Sequence, residues 1–428
     1  MTYDVVIVGG RPAGAALAAR LGAKGVKVLI VDRATFPSLP TVPSSPVLYP
    51  CAMALLDELG VKEESYADPH SAMRHFSVNF GSWWSTVMTL PTTHGRDYVR
   101  GIDRSVFDQL LWKQLERFPS VERREDFAVR DVVRDADGRV CGVIGGADER
   151  IDARCVIGAD GRYSLIARQV GAPVTEERNQ HVSTVYYADW ENVTPTEDGV
   201  HGGHLTTNGR GVDVLFFAMP GGRFSVNTHA RADRAEVKGD AQEYYLETLN
   251  SMPSVARRLK GARQVNKVIG IKRIANAYRQ ASGPGWALVG DALHHKDPVD
   301  GQGIYDALIE GKLLASALER FLGREVTWED AMRKYTDEVI ATTRPMYLAT
   351  TDRLKRELYD EPPVPVIKTA IRWMMSDKTY QTQFLRYLSR DVAPDTWMTP
   401  ALVAGALARG VGRDLRSMFG REAKSARS

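Results

Sequence analysis

Two carboxylates stand where this chain's residue types and spacing suggest chemistry. Asp32 closes the apolar run "VKVLIVD" and Asp291 closes "WALVGD". A carboxylate at the carboxyl end of a buried strand is well placed to accept hydrogen bonds from ligand hydroxyls. Asp32 lies downstream of "VVIVGGRPAG", residues 5–14, in which Gly9 and Gly14 hold the first and last glycine positions of a Gly-x-Gly-x-x-Gly dinucleotide fingerprint. The middle glycine is replaced by Arg11, and Pro12 and Ala13 follow it. Gly9 would supply the tight turn, and Gly14 the close packing of helix on strand. The Arg11 guanidinium would either pair with a phosphate or point to solvent. Arg33 follows the acidic strand end, which favours a ribose with a free 2′-hydroxyl, as in FAD or NAD, over NADP.

The elements that must position these groups read as strand, turn, helix and strand. "AGAALAARLGAKG" is rich in Ala and Leu, with Leu17 and Leu21 one turn apart and Gly25 placed as a C-cap. "VKVLIVDR" reads as a buried parallel strand. The chain has 428 residues, 43% hydrophobic and 25% charged, with a net charge of +3, which fits a globular protein of two or three domains and gives no reason to expect nucleic acid. Cys51, Cys141 and Cys155 lack metal-like spacing. So few cysteines suggest a reducing compartment. With no apolar run of spanning length and a first strand beginning by Tyr3, the expectation is a cytoplasmic protein.

Two further stretches, "CVIGADGRYSLIARQVG" (155–171) and "GWALVGDALHHKDPVDGQGIYDALIEGKLLASAL" (285–318), follow the N-terminal unit in order. Together the three resemble the FAD-dependent monooxygenases typified by para-hydroxybenzoate hydroxylase, with their geranylgeranyl-reductase-like and halogenase relatives, over residues 1–345. The resemblance implies that the Asp-Gly turn at Asp160, with Ser164 and Arg168, supports FAD. Read by itself, it is an Asp-Gly turn before a helix. The resemblance also implies that Asp291 holds the ribityl chain and that Pro298, Gly301 and Gly303, with Gln302 and Ile304, lie beside the isoalloxazine ring. A helix opening there would turn its positive dipole end to the flavin. Arg104 is expected against the FAD, or else in a surface salt bridge. Val129, before a hairpin turning at Asp137-Gly138, is expected to meet the adenine through its backbone.

The fold expected is α/β: an FAD-binding Rossmann-like domain of the para-hydroxybenzoate hydroxylase type, with an inserted β-sheet substrate domain and a helical C-terminal region. The FAD-binding domain would comprise residues 1–75, 100–172 and 270–345; the sheet domain 76–99 and 173–269; the helical region 346–428, broken by Pro362, Pro363 and Pro365. The last sixteen residues read as a frayed basic tail. Strands such as "RHFSVNFGSWWSTVMTL", "HVSTVYYADWENV" and "DVLFFAMPGG" would form a sheet over the flavin. Alternation places half of Tyr186, Tyr187, Trp190, Phe216 and Phe217 in a substrate pocket, and Tyr187 and Phe217 are the choices.

No second glycine-rich βαβ unit follows, so NAD(P)H would dock transiently, or a separate flavin reductase would deliver electrons. No metal constellation stands out, and His201 with His204 reads as a loop. The Trp-x-Trp-x-Ile-Pro stretch of flavin halogenases is absent, which counts against halogenation. The expected activity is monooxygenation, hydroxylating or epoxidising an aromatic or polyketide-like small molecule with O2. Reduction of an isoprenoid or alkene is the alternative, followed by a non-catalytic FAD-bound binding protein. His294 and Asp300 are the candidates for an acid or base, although an Asp before Gly-x-Gly also reads as an N-cap.

Overall fold

The computed structural model describes residues 2–40, 42, 44–81, 84–196, 199, 201–235, 240–360 and 364–425, with side chains undescribed at 364, 367 and 418–425. Ser82, Trp83, Pro362 and Pro363 of the expected strands and breaks lie outside the described residues.

The strand Tyr3–Val8 pairs in parallel with Val28–Val31 on one side and Arg150–Gly158 on the other. Val121–Arg124 and Trp286–Leu288 extend this parallel sheet outward. Its central strands are apolar because both faces are covered, and Val5, Val6, Ile7 and Leu29 have no exposure. The helices Pro12–Gly22 and Gly303–Leu322 cross one another over it, with Gly311 letting the second approach the backbone of the first. The hairpin Asp131–Arg134 with Val140–Ile144 adds antiparallel strands beside Arg150–Gly158.

A second sheet is mainly antiparallel and contains Ser183–Glu191, Phe224–Arg231, Val212–Ala218, Gly203–Thr207, His75–Phe80 and Ser85–Thr89. Its two faces have different partners. Tyr186, Trp190, Val214 and Phe216 pack on the helices Ala241–Asn250 and Pro253–Leu259. The opposite face looks toward the C-terminal helices, including Trp328–Leu354 and Lys378–Leu388.

The last helix runs Pro400–Ser425 and takes in part of the basic tail expected to fray. It is anchored by Asp414, which accepts from Arg372 at 3.0 Å and from the Trp373 indole at 2.9 Å. No helix among the described residues is long and apolar enough to cross a membrane.

A tight point where the helix Pro12–Gly22 meets the parallel sheet is Gly14. A Cβ there would stand 1.9 Å from the Gly9 carbonyl oxygen, a backbone atom that cannot move aside. Gly14→Ala should therefore destabilise the protein by about 1–3 kcal/mol, the usual range for overpacking. Thermal denaturation of the apo-protein checks this, and an unchanged Tm would contradict it.

Candidate functional site

The first turn is shaped for close approach. Gly9 has φ +111°, and a Cβ on it would lie 2.3 Å from the Ala159 carbonyl oxygen. Asp32 is buried; its Oδ2 accepts from the Gly10 N–H at 2.7 Å and its Oδ1 from the Ala34 N–H at 2.8 Å. Each oxygen keeps a further lone pair for a ligand hydroxyl. Arg33 is exposed beside it, and Val129 is buried. Pro12 and Ala13 open a helix whose N-cap, Arg11, makes no side-chain cap.

Arg11 is not the free group the sequence suggests. Its guanidinium donates to Asp108 Oδ2 at 2.5 Å, to Ser38 through O and Oγ at 3.1 Å, and to the Leu39 carbonyl at 3.0 Å. Arg104 donates to the same Asp108, with Nη2 3.0 Å from Oδ1, and also contacts Ser44 Oγ. It is buried, so the surface salt bridge weighed for it is not what forms. Asp108 is fully buried and ties together two arginines that sequence reasoning treated separately. The available signal was its place one turn after Arg104 on the helix Arg104–Gln114.

The Asp-Gly turn is held from within. Asp160 accepts from Ser164 Oγ at 2.5 Å and from the backbone N–H groups of Leu165 and Ile166 at 2.6 and 3.1 Å. Burial nevertheless raises its pKa. Arg168 donates to the Tyr163 carbonyl at 2.9 Å. Two arginines passed over in the sequence join this turn to that of Asp291. Arg162 donates to the Ala275 and Lys296 carbonyls at 2.7 and 3.1 Å. Arg279 donates to the Ala292 and Arg162 carbonyls, each at 2.8 Å.

The turn Asp297–Gly303 is fixed from several sides. Asp300 accepts from Arg353 at 2.6 Å, Thr350 at 2.6 Å and Tyr387 at 3.3 Å. Gln302 donates to the Leu388 carbonyl at 2.7 Å and accepts from Arg390 at 3.0 Å. Arg390 continues to Asp306 at 2.8 Å, and Lys296 contacts the same carboxylate. His294 stacks on Tyr278 at 4.5 Å, with Nδ1 2.7 Å from Glu310 Oε1. Burial pushes the His294 pKa down, but the carboxylates of Glu310 and Asp306 outweigh it and carry the value to about 9. His294 and Asp300, read from the sequence as an acid or base, are thus committed to buried networks, and neither lines the cavity beside the turn. A charged group given such partners is stabilised where it stands and is poorly free to exchange protons with a ligand.

That cavity has a volume of about 350 Å³. Pro298, Val299 and Gly301 form one side, and the second sheet contributes Tyr187, Phe217, Asp213 and His229. Period-2 alternation explains the sorting: 213, 215 and 217 face the cavity, while Val214 and Phe216 face the other core. Tyr187 and Phe217 both line it, and Tyr186 does not. The C-terminal helices close it with Arg353, Met374, Tyr380 and Phe384, a contribution sequence reading did not assign. Elsewhere, His201 Nε2 lies 2.8 Å from the His70 carbonyl, and among the described residues no group of three or more His, Cys, Asp or Glu could hold a metal ion.

The arrangement fits FAD. The helices Pro12–Gly22 and Gly303–Leu322 both start without a side-chain cap, leaving first-turn N–H groups for phosphate and for the flavin's polar edge. Gly301 has φ +64°, and a Cβ on it would crowd Val47 at 3.0 Å. Gly303 is different: a Cβ there would meet nothing within 4 Å. The protein's own packing does not require that glycine, whereas a ring lying against it would. Ile304 behind it is buried in the core.

A family model described as an FAD binding domain matches residues 2–344, and the chain belongs to that family. Its fold is the FAD-binding fold of the para-hydroxybenzoate hydroxylase type, and it is an FAD-dependent oxidoreductase. Rifampicin monooxygenase of Streptomyces venezuelae is 26% identical over 353 residues, 80% of this chain and 70% of its own. Digeranylgeranylglycerophospholipid reductase 2 of Methanopyrus kandleri is 27% identical over 357 residues, 79% of this chain and 82% of its own. The solved structure of a flavin-dependent brominase superposes with a TM-score of 0.77 at 18% identity, covering 96% of this chain and 100% of that one. Monooxygenase, reductase and brominase thus share the fold, and fold alone does not select the reaction.

Two outcomes test the site. Gly303→Ala should raise the FAD dissociation constant roughly tenfold, ~1.4 kcal/mol, with the apo-protein Tm unchanged. Flavin titration beside thermal melts checks it; unaltered affinity would remove the ring from that position. Asp108→Asn leaves two guanidinium groups short of their shared anion and should cost about 3–5 kcal/mol in chemical denaturation. Loss of under 1 kcal/mol would show that Asp108 does not organise the arginines.

Proposed function

We propose that this protein is an FAD-dependent monooxygenase of a small aromatic or polyketide-like molecule. The observation that carries this reading is the cavity, bounded by the glycine turn on one side and by aromatic and aliphatic side chains elsewhere. Its volume of about 350 Å³ is at the small end of ligand pockets and suits a compact molecule better than a pair of long isoprenoid chains. Bound FAD would supply electron transfer to O2 and an electrophilic oxygen for the substrate. Its adenosine ribose is assigned to Asp32, with Gly9, Pro12, Ala13, Gly14, Arg33, Arg104 and Val129 around the nucleotide half. Asp160 supports it, and the ribityl chain is assigned to Asp291.

The protein's own residues do the rest. Pro298, Gly301, Gln302, Gly303 and Ile304 seat the ring by backbone approach, while Tyr187, Phe217 and Phe384 exclude water from the cavity and orient the substrate. NAD(P)H visiting transiently, or reduced flavin from a separate reductase, supplies the electrons. A reaction of this kind suits the cytoplasm.

Flavin-spectral screening should first identify ligands of the cavity. Turnover with those ligands, NAD(P)H or a flavin reductase, and isotope-labelled O2 should place one labelled oxygen atom in the product. Oxygen-independent reoxidation of reduced FAD by the ligand would instead establish the reductase reading. A flavin that no nicotinamide, reductase or ligand can reduce or reoxidise would establish a binding protein.

A further inference from the structure

Asp213 is a buried carboxylate on the cavity wall that the fold leaves incompletely partnered. It lies on the strand Val212–Ala218, opposite Thr207 on one neighbouring strand and His229 on the other. All three side chains line the cavity. Asp213 is 4% exposed, yet its Oδ1 has no hydrogen-bond partner among the described residues. A buried oxygen left without a donor is destabilising. An atom of this kind beside a cavity calls for a donor that the chain itself does not supply.

His229 beside it is held in place. Its Nε2 lies 2.9 Å from Asp297 Oδ1 and 2.8 Å from Ser183 Oγ. Ser183 also contacts Asp297, which in turn accepts from the Val299 N–H at 3.0 Å. A polar chain therefore runs from the turn at Pro298 through Asp297 to His229, which stands across the strands from Asp213. Arg353, a cation on the cavity wall, is already paired with Asp300 at 2.6 Å and Glu357 at 2.7 Å. A carboxylate ligand would find the Arg353 charge neutralised.

We propose that Asp213 accepts the proton of a ligand's O–H or N–H group, with His229 and Asp297 as positioning residues, so that the ligand is a small, largely apolar molecule bearing one such donor. This deepens the monooxygenase reading and rests on it. In the proton-transfer step the ligand's O–H bond breaks, the proton passes to the Asp213 carboxylate, and the electron pair stays on the ligand oxygen. The more electron-rich ligand is then the better acceptor of an electrophilic oxygen.

The protonation state of Asp213 is set by its surroundings. Burial raises its pKa, the Glu357 carboxylate raises it further, and the Thr207 hydroxyl, His229 and Arg353 lower it, leaving a value of about 7. The His229 pKa is itself raised, burial being outweighed by the Asp297 carboxylate. Arg356 and Asp360 also line the cavity. Asp213 holds its proton below about pH 7 and is free to accept one above it. Binding of a donor ligand should strengthen as pH rises through that value.

The experiment titrates FAD-loaded protein with phenol, and with anisole as the analogue lacking the donor, across neutral pH, reading the flavin spectrum. Phenol affinity should rise roughly tenfold per pH unit below the step, while anisole binding stays level. Asp213→Asn should abolish the step. Glu357→Gln should move it to lower pH, which keeps the test decisive if the first variant loses FAD. Level phenol binding, a step retained in Asp213→Asn, or no phenol binding at all overturns the proposal. Reduction and oxygen reoxidation of the flavin are followed in the same samples. A redox-active flavoprotein without the step sinks only this assignment; a redox-inactive one sinks the monooxygenase reading.

Discussion

The site depends on how the turn Asp297–Gly303 is neutralised. Asp297, Asp300 and, just beyond, Asp306 are each almost completely buried. A buried carboxylate without a counter-charge is intolerable, and each of the three is answered by a different part of the chain. His229 comes from the second sheet, Arg353 and Thr350 from the helix Trp328–Leu354, and Arg390 from beyond the helix Lys378–Leu388. Lys296, ten residues back along the chain, completes the set at Asp306. The turn Asp297–Gly303 is thus the point where the parallel sheet, the second sheet and the C-terminal helices are joined by charge.

That arrangement has a functional consequence. The cavity lies between the three regions, so the contacts that stabilise their docking also define its walls. Arg353 shows this directly, since it pairs with Asp300 and also lines the cavity. At the other end of the nucleotide site, Asp108 plays a similar part on a smaller scale. It fixes Arg11 and Arg104 together and so sets the entry of the first helix against the loop at Ser38 and Leu39. A replaced fingerprint glycine is compatible with the turn because the Arg11 side chain leaves along this route.

What was legible in the sequence was whatever is enforced locally. Gly14 is demanded by the Gly9 carbonyl five residues away and Gly9 by its own φ of +111°, so their spacing reveals the turn, whereas the approach of Ala159 to Gly9 comes from far along the chain. Tyr187 and Phe217 follow from strand alternation, which needs only the strand and its direction. The role of Asp108 was hidden because Arg11 is ninety-seven residues away from it. The committed states of His294 and Asp300 were hidden for the same reason, since Tyr278, Arg353 and Tyr387 are brought in by tertiary packing. Asp213 was passed over because an acidic residue in a strand usually marks the solvent face, and here both faces are covered.

The central claim is that the flavin ring lies against the turn Pro298–Gly303 and opens onto the cavity completed by the C-terminal helices. A crystal structure of the FAD-loaded protein tests it most directly. The account predicts the isoalloxazine ring packed over Gly303 with its reactive edge toward Tyr187 and Phe217, and the adenosine ribose on Asp32. A ring bound away from that turn, or a cavity walled off from it by protein, would contradict the account.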